Sequence, residues 1–184
     1  MSGIVGSRLN IRGSGLVGSL GTDGQIFTSS GAGSSAVYEA AAGGGGKVLQ
    51  VVTASYAGQV GTTSTDWADT GIAASITPAH ADNKVLVMVN FCVHNSQATY
   101  GNFQTIFRGD SGGTNLGTDA TGLGRVSGVA SLYHMCSMHI LDSPSTTSSQ
   151  AYETGFKNSS ASLASYTMIN NITAKITLLE IDGT

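Results

Sequence analysis

The sequence predicts an all-β protein: an antiparallel β-sandwich or barrel of about eight strands, preceded by an extended, glycine-rich N-terminal arm. Three observations carry this. From Lys47 onward apolar and polar residues alternate with the period of a strand, in runs that recur every ~8–14 residues. Clusters of turn formers, "PAHADN", "GDSGGTN" and "SPSTTSS", separate those runs. No stretch carries the 3.6-residue periodicity of an amphipathic helix.

The arm comes first. Residues 1–46 hold half of the chain's 26 glycines, and the boundary falls at "AAAGGGG", Ala40 to Gly46, where consecutive glycines make a flexible joint. Short apolar pairs, Ile4-Val5, Leu9 with Ile11, Leu16-Val17 and Ile26-Phe27, alternate with Gly and Ser. Each is too small to bury itself. Their spacing reads as a peptide that gains order on a partner's surface or against sibling copies. Asp23-Gly24 is a tight-turn dipeptide ahead of the short β-prone run at Gln25. The chain thus divides into an arm, 1–46, and a β domain, 47–184.

Eight strands follow in the β domain. "KVLQVVTAS" is β-branched, and "TGIAASITP" follows it. In "VLVMVNFCV" one face carries Val85, Val87, Val89, Phe91 and Val93; the other carries Leu86, Met88, Asn90 and Cys92, too apolar to be fully wet. "NFQTIFRGD" comes next. "SGVASLYHMCSMHIL" sets Ala130, Leu132, Cys136, Met138 and Ile140 against Ser131, Tyr133, Ser137 and His139. "QAYETGFKN" and "LASYTMIN" precede "ITAKITLLEI", where Ile176 and Leu178 oppose Lys175 and Thr177. A sandwich buries one face of each strand, so strands apolar on both faces need a second cover. Another subunit is the cheapest cover, and closed cyclic symmetry is the usual result. A homotrimer would also gather three arms into one bundle.

Composition narrows the function. Of 184 residues, 40% are apolar, enough for one core, but only 10% are charged against about 25% in ordinary soluble domains. Net charge is −3 and the charges are scattered, so no basic stripe exists to bind nucleic acid. No apolar run reaches the ~18 residues of a membrane span. Arg8 and Arg12 precede no apolar h-region, so folding in a cytoplasm is expected.

Catalytic and metal signals are weak. Cys92 and Cys136 sit in apolar runs and read as free, buried thiols, with a bridge between them as the alternative. His134, Cys136 and His139 form H-x-C-x-x-H, but on a strand His139 faces away from the other two. Cys92 and His94 make a second same-face pair, and four ligands would converge on zinc only if these strands paired suitably. The expectation is no metal and no cofactor. There is no G-x-S-x-G elbow, and no catalytic residue is assigned. Asp66, Asp69 and Asp110 lie beside turn residues, where a solvated Asp is the default. "GSGLVGSLG" precedes no helix and is no phosphate loop. Arg108-Gly109-Asp110 reads as a strand-end turn, and Trp67, the only tryptophan, as a loop anchor in preference to a contact residue.

The opening "MSGIVGSRLNIRGSGLVGSLGTDGQIFTSSGAG" resembles the N-terminus of short virion proteins of marine tailed bacteriophages. Within it, "LGTDGQIFTSSGAG" is similar to the glycine-punctuated connector beside globular modules of phage fibre proteins. "KVLQVV", "SITPAHADNKVLVMV", "ILDSPSTTSSQAYE" and "ITLLEI" extend the resemblance over nearly the whole chain. It implies a jelly-roll knob of the kind seen in trimeric fibre tips, a place in the virion and partners among other capsid or tail proteins, and it carries no catalytic residues. On that reading Ile4, Val5, Leu9, Ile11, Leu16, Val17, Ile26 and Phe27 anchor the arm. The segment "RGDSGGTNLGTDATGLGR", with Arg108, Asp110, Asn115, Asp119 and Arg125, would meet a host surface glycan or protein. A capsid cement with no receptor role is the competing class; a glycan depolymerase would need a cleft with paired acids.

Overall fold

The computed structural model describes residues 25–28, 37–40, 46–98, 100–127 and 130–183. The chain divides into two units, residues 1–44 and 45–184. In the first, β1 (Gln25–Thr28) pairs antiparallel with β2 (Val37–Ala40), and the rings of Phe27 and Tyr38 lie 5.0 Å apart. The expected extended arm therefore contains a folded strand pair. Ile26 and Phe27 keep about half their surface exposed; the other six anchoring candidates, Ile4 to Val17, lie outside the described residues.

The second unit comprises β3 (Val48–Tyr56), β4 (Val60–Thr62), β5 (Ala68–Ile76), β6 (Lys84–Asn95), β7 (Gly101–Arg108), β8 (Thr114–Asn115), β9 (Gly124–Ser127), β10 (Tyr133–Asp142), β11 (Gln150–Asn158), β12 (Ser165–Thr167) and β13 (Ala174–Ile181), with one 3₁₀ turn at Ile169–Asn171. One sheet runs β3–β13–β6–β10, all antiparallel, and β12 and β4 continue it beside the far half of β6. The other runs β5–β11–β7, with β8 and β9 both on the free side of β7. The first and last strands of this unit are neighbours, and each long strand from β5 to β11 is followed, directly or after β8 and β9, by a crossing to the other sheet. That strand order is a jelly roll, an antiparallel sandwich of two Greek keys.

The core forms where the two inner faces meet. Val85, Val87, Val89, Phe91 and Val93 of β6 are all buried, as the alternation requires, and Ile176 and Leu178 of β13 join them. Ile72, Ile76, Ile106 and Tyr152 come from the second sheet. Cys136 and Met138 of β10 are buried, but Ala130 and Leu132 are exposed: both precede the first paired residue of β10, so the strand's alternation does not reach them.

Toward one end the interior turns polar and becomes a fixed amide network. Asn158 Nδ2 donates to the carbonyls of Thr62 (2.9 Å) and Leu163 (2.8 Å), and its Oδ1 accepts from Asn102 Nδ2 at 3.1 Å. Gln104 Nε2 donates to Asn102, and the hydroxyls of Thr70 and Thr154 meet each other. Buried polar groups satisfied in this way fix one register. At the other end Glu180 is 1% exposed and accepts three hydrogen bonds of 2.6 Å, from Asn83 Nδ2, Gln50 Nε2 and the Ala79 amide. Burial pushes its carboxyl up, but those donors, with His80 nearby, outweigh burial and hold it below the ordinary value.

Candidate interaction surfaces

The outer face of the β3–β13–β6–β10 sheet is built of cross-strand rows fixed by the pairing registers. The first row is wholly apolar: Val51, Leu179, Leu86 and Leu141 lie side by side on four strands, with Val51 57% and Leu141 52% exposed. Next come Thr53, Thr177, Met88 and His139, then Ser55, Lys175, Asn90 and Ser137. A shallow depression of about 380 Å³ sits between these rows, lined among others by Leu86, Met88, His139 and Lys175. Met135, opposite Cys92, is 65% exposed. The alternation identified Leu86 and Met88 as poorly suited to water; Met135 and Leu141 complete the surface.

A further row crosses the far half of the same face. Tyr133 pairs with His94, His94 with Tyr166, and Tyr166 with Gly61. The His94 ring lies 5.4 Å from Tyr133 and 6.1 Å from Tyr166. This register also separates the two candidate ligand pairs. Cys92 and His94 oppose Met135 and Tyr133, whereas His134 and Cys136 oppose the core residues Val93 and Phe91. The two pairs point to opposite sides of the sheet and cannot share an ion. Among the described residues no group of three or more His, Cys, Asp or Glu has metal-binding geometry, and both cysteines are buried free thiols. Burial pushes both thiols up, Cys136 to about 11, which makes them poor nucleophiles.

The 108–125 segment is two features. Arg108 turns back to Asp142 (3.6 Å) and donates to the Ser143 carbonyl at 3.1 Å, while Asp142 accepts from Tyr152 Oη at 2.7 Å. Asp110 is exposed and closes the tight turn by accepting from the Gly112 amide at 3.0 Å. Beyond it the chain folds onto the outer face of the second sheet. Asn115 Oδ1 accepts from Thr105 Oγ1 (2.5 Å) and the Gly117 amide (2.9 Å), and Lys157 Nζ donates to the Asp119 carbonyl at 2.8 Å. Trp67 is the anchor of this loop. It meets Phe107 edge-on at 5.9 Å and lies under Lys157 Nζ at 4.5 Å. Gly122, at φ +64, sits against the Trp67 ring where a Cβ would also strike the Gln104 carbonyl. Arg125 is exposed and lies over Phe103 at 5.3 Å. The five host-contact candidates are therefore spread over a sandwich end and a sheet face.

Of the candidate acids, Asp69 is brought to another carboxyl, Glu153 on the neighbouring strand. Burial, the hydrogen bond to Asp69 with its charge, and the charge of Asp110 push Glu153 up to about 8. Two carboxyls in one hydrogen bond leave no room for the sugar and water between the acids of a glycosidase. Because the folded state holds a proton here that the unfolded chain releases near 4.5, this pair's stabilisation is complete below that pH and fades as pH rises through about 8. Glu153→Gln keeps a neutral partner for Asp69. Thermal melts at pH 5.5 and pH 9 are expected to show a smaller drop in Tm for the variant than for the parent; equal drops would contradict the assignment.

No protein-family profile matches the chain, and no curated protein does. Among solved structures it is similar to the VP2 subviral particle of infectious bursal disease virus, with TM-score 0.41 and 10% identity over 79% of this chain and 41% of that one. It is also similar to a chain of the Gt strain of the same virus, with TM-score 0.39 and 10% identity over 86% and 42%. The chain spans about two-fifths of the length of these viral chains. Likeness at this level carries no further argument, and the jelly-roll order rests on the pairing registers alone. No helix among the described residues is long and apolar enough to cross a membrane.

Proposed function

We propose that the chain is a non-enzymatic structural protein of a bacteriophage virion: a fibre or surface appendage, anchored by residues 1–46 and displaying the β domain as a homotrimeric knob. The apolar outer face of the β3–β13–β6–β10 sheet carries the reading. Val51, Met88, Met135 and Leu141 are each about half exposed or more. Together they leave on the order of 400 Å² of apolar surface, the size of patch that on a monomer often marks a contact site. A protomer in a stable interface contributes about 800 Å². The Thr, Ser and Asn side chains between Leu86 and Met135 supply polar contacts within the remainder. The low charge of the chain and its resemblance to marine phage virion proteins point the same way.

Anchoring is tested on particles. Removing residues 2–40 is expected to leave a folded β domain that no longer enters virions. Incorporation at the parental level would overturn the arm's role.

A cement role without receptor binding is favoured by one observation. Arg108, Asn115 and the Asp119 carbonyl are already engaged within the chain. Particles lacking the protein separate the two readings: loss of adsorption supports the appendage, whereas capsid fragility with normal adsorption supports the cement.

A further inference from the structure

The row formed by Tyr133, His94 and Tyr166 is not used by any role described so far, and its chemistry differs from the apolar row on the same face. At ~3.4 Å per residue, eight residues of β6 separate Leu86 from His94, so the two rows stand about 27 Å apart. We infer that the aromatic row, with Asn170 and the hydroxyls beside Tyr166, is a shallow binding platform for neutral carbohydrate. Its biological use rests on the displayed-appendage reading; its chemistry does not.

Aromatic rings are presented side by side. Tyr133 is 51% exposed, and Tyr166 packs against Gly61, where a Cβ would come within 2.8 Å of the ring. Gly61 is the residue that lets this ring settle onto its neighbour strand. Beside Tyr166 is a depression of about 280 Å³ lined by Gly61, Thr62, Thr63 and Ala164, roomy enough for one sugar ring. Pyranose C–H faces stack on such rings while their hydroxyls need short-range donors and acceptors. Asn170 supplies these at the other end: its Nδ2 donates to Tyr133 Oη at 2.9 Å, leaving the amide oxygen for a ligand.

The backbone holding Asn170 is strained and locked. Met168, Asn170 and Asn171 all have positive φ, at 47, 58 and 58 degrees. Asn tolerates that region, but Met seldom adopts it. Met168 is fully buried in the core, so packing fixes the turn and sets Asn170 beside Tyr133. The row itself holds no Lys, Arg, Asp or Glu, which disfavours phosphate, nucleic acid and acidic peptides as ligands. Neutral sugar is the class that uses exposed rings, amide and hydroxyls together. Single contacts of this kind are weak, and repeated copies on one particle raise them to useful avidity.

Saturation-transfer difference NMR on the full chain tests this with maltohexaose, cellohexaose and mannohexaose, each at about 5 mM, where a Kd near 1 mM fills most sites. At least one sugar is expected to receive saturation at its ring protons. Tyr133→Ala and Asn170→Ala, both at exposed positions, are expected to weaken binding about tenfold, and Asp82→Ala, exposed in the turn before β6, to leave it unchanged. No transfer to any of the three sugars, or undiminished transfer in both variants, would overturn the proposal. So would transfer to a Leu-rich hexapeptide in place of the sugars, which would assign the row to protein docking. Sedimentation of the same samples separates the two readings: monomers that bind sugar overturn the assembly alone, and assembled protein that binds none overturns the platform alone.

Discussion

Replacing Glu180 with alanine is expected to lower the stability of the β domain by about 2–4 kcal/mol. The carboxylate is the shared acceptor for Asn83, Gln50 and the Ala79 amide, which reach it from β3 and from the corner between β5 and β6. Truncation leaves the buried Asn83 amide and the Ala79 N–H without this acceptor, while Gln50 Nε2 keeps the Thr77 carbonyl; an orphaned buried donor costs about 1–3 kcal/mol. Urea unfolding measures the loss directly; an unchanged midpoint would contradict the role. The sign with pH is opposite to that of Glu153. The Glu180 carboxyl is held below its ordinary value, so its stabilisation is present above the normal carboxylate range and is lost as pH falls through the folded value. The parent should therefore lose stability on acidification that the alanine variant has already lost.

Leu141→Glu, alone or with Val51→Glu, is expected to dissociate the assembly while leaving the fold intact. Both side chains are more than half exposed in the isolated protomer, so the charge stays in water there and the folding cost stays within about 0.5 kcal/mol. Inside an interface the same carboxylate would be stripped of water against Leu86 and Leu179, its row neighbours. A weakening of at least a hundredfold is expected, with the melting temperature of the dissociated protomer close to that of the parent protomer. Sedimentation and thermal melts together check it. An assembly that tolerates both glutamates would remove this face from the interface.

Much of this architecture could be read from residue order, because the long strands announce themselves. Val85 to Val93 alternate without interruption, and each of the eight runs picked out from Lys47 onward contains a strand. The strands that were not foreseen, β2, β4, β8 and β9, are two to four residues long, too short to show an alternation. Their extended state comes from a partner: β4 is a strand because β12 lies beside it. Local composition carries no such signal.

The surfaces were harder to read for a related reason. Alternation shows that Met135 and Leu141 lie on one side of β10, but which side meets water depends on the second sheet. The glycine-rich run after Arg108 looked free, yet Trp67 and Lys157, distant in sequence, hold part of it against the β5–β11–β7 sheet. Glu180 showed only as a lone acid in "TLLEI", since its partners Asn83 and Gln50 lie 97 and 130 residues away. The aromatic row draws one residue from each of three strands, so register alone brings it together. The registers similarly divided the four Cys and His ligands that spacing had left open.

The central claim is that this sheet face is covered by sibling chains. Sedimentation velocity on the full chain at micromolar concentration tests it most directly. The expected species has the mass of three 18.6 kDa chains and persists on dilution through that range. A single, stable, soluble species of 18.6 kDa would contradict it.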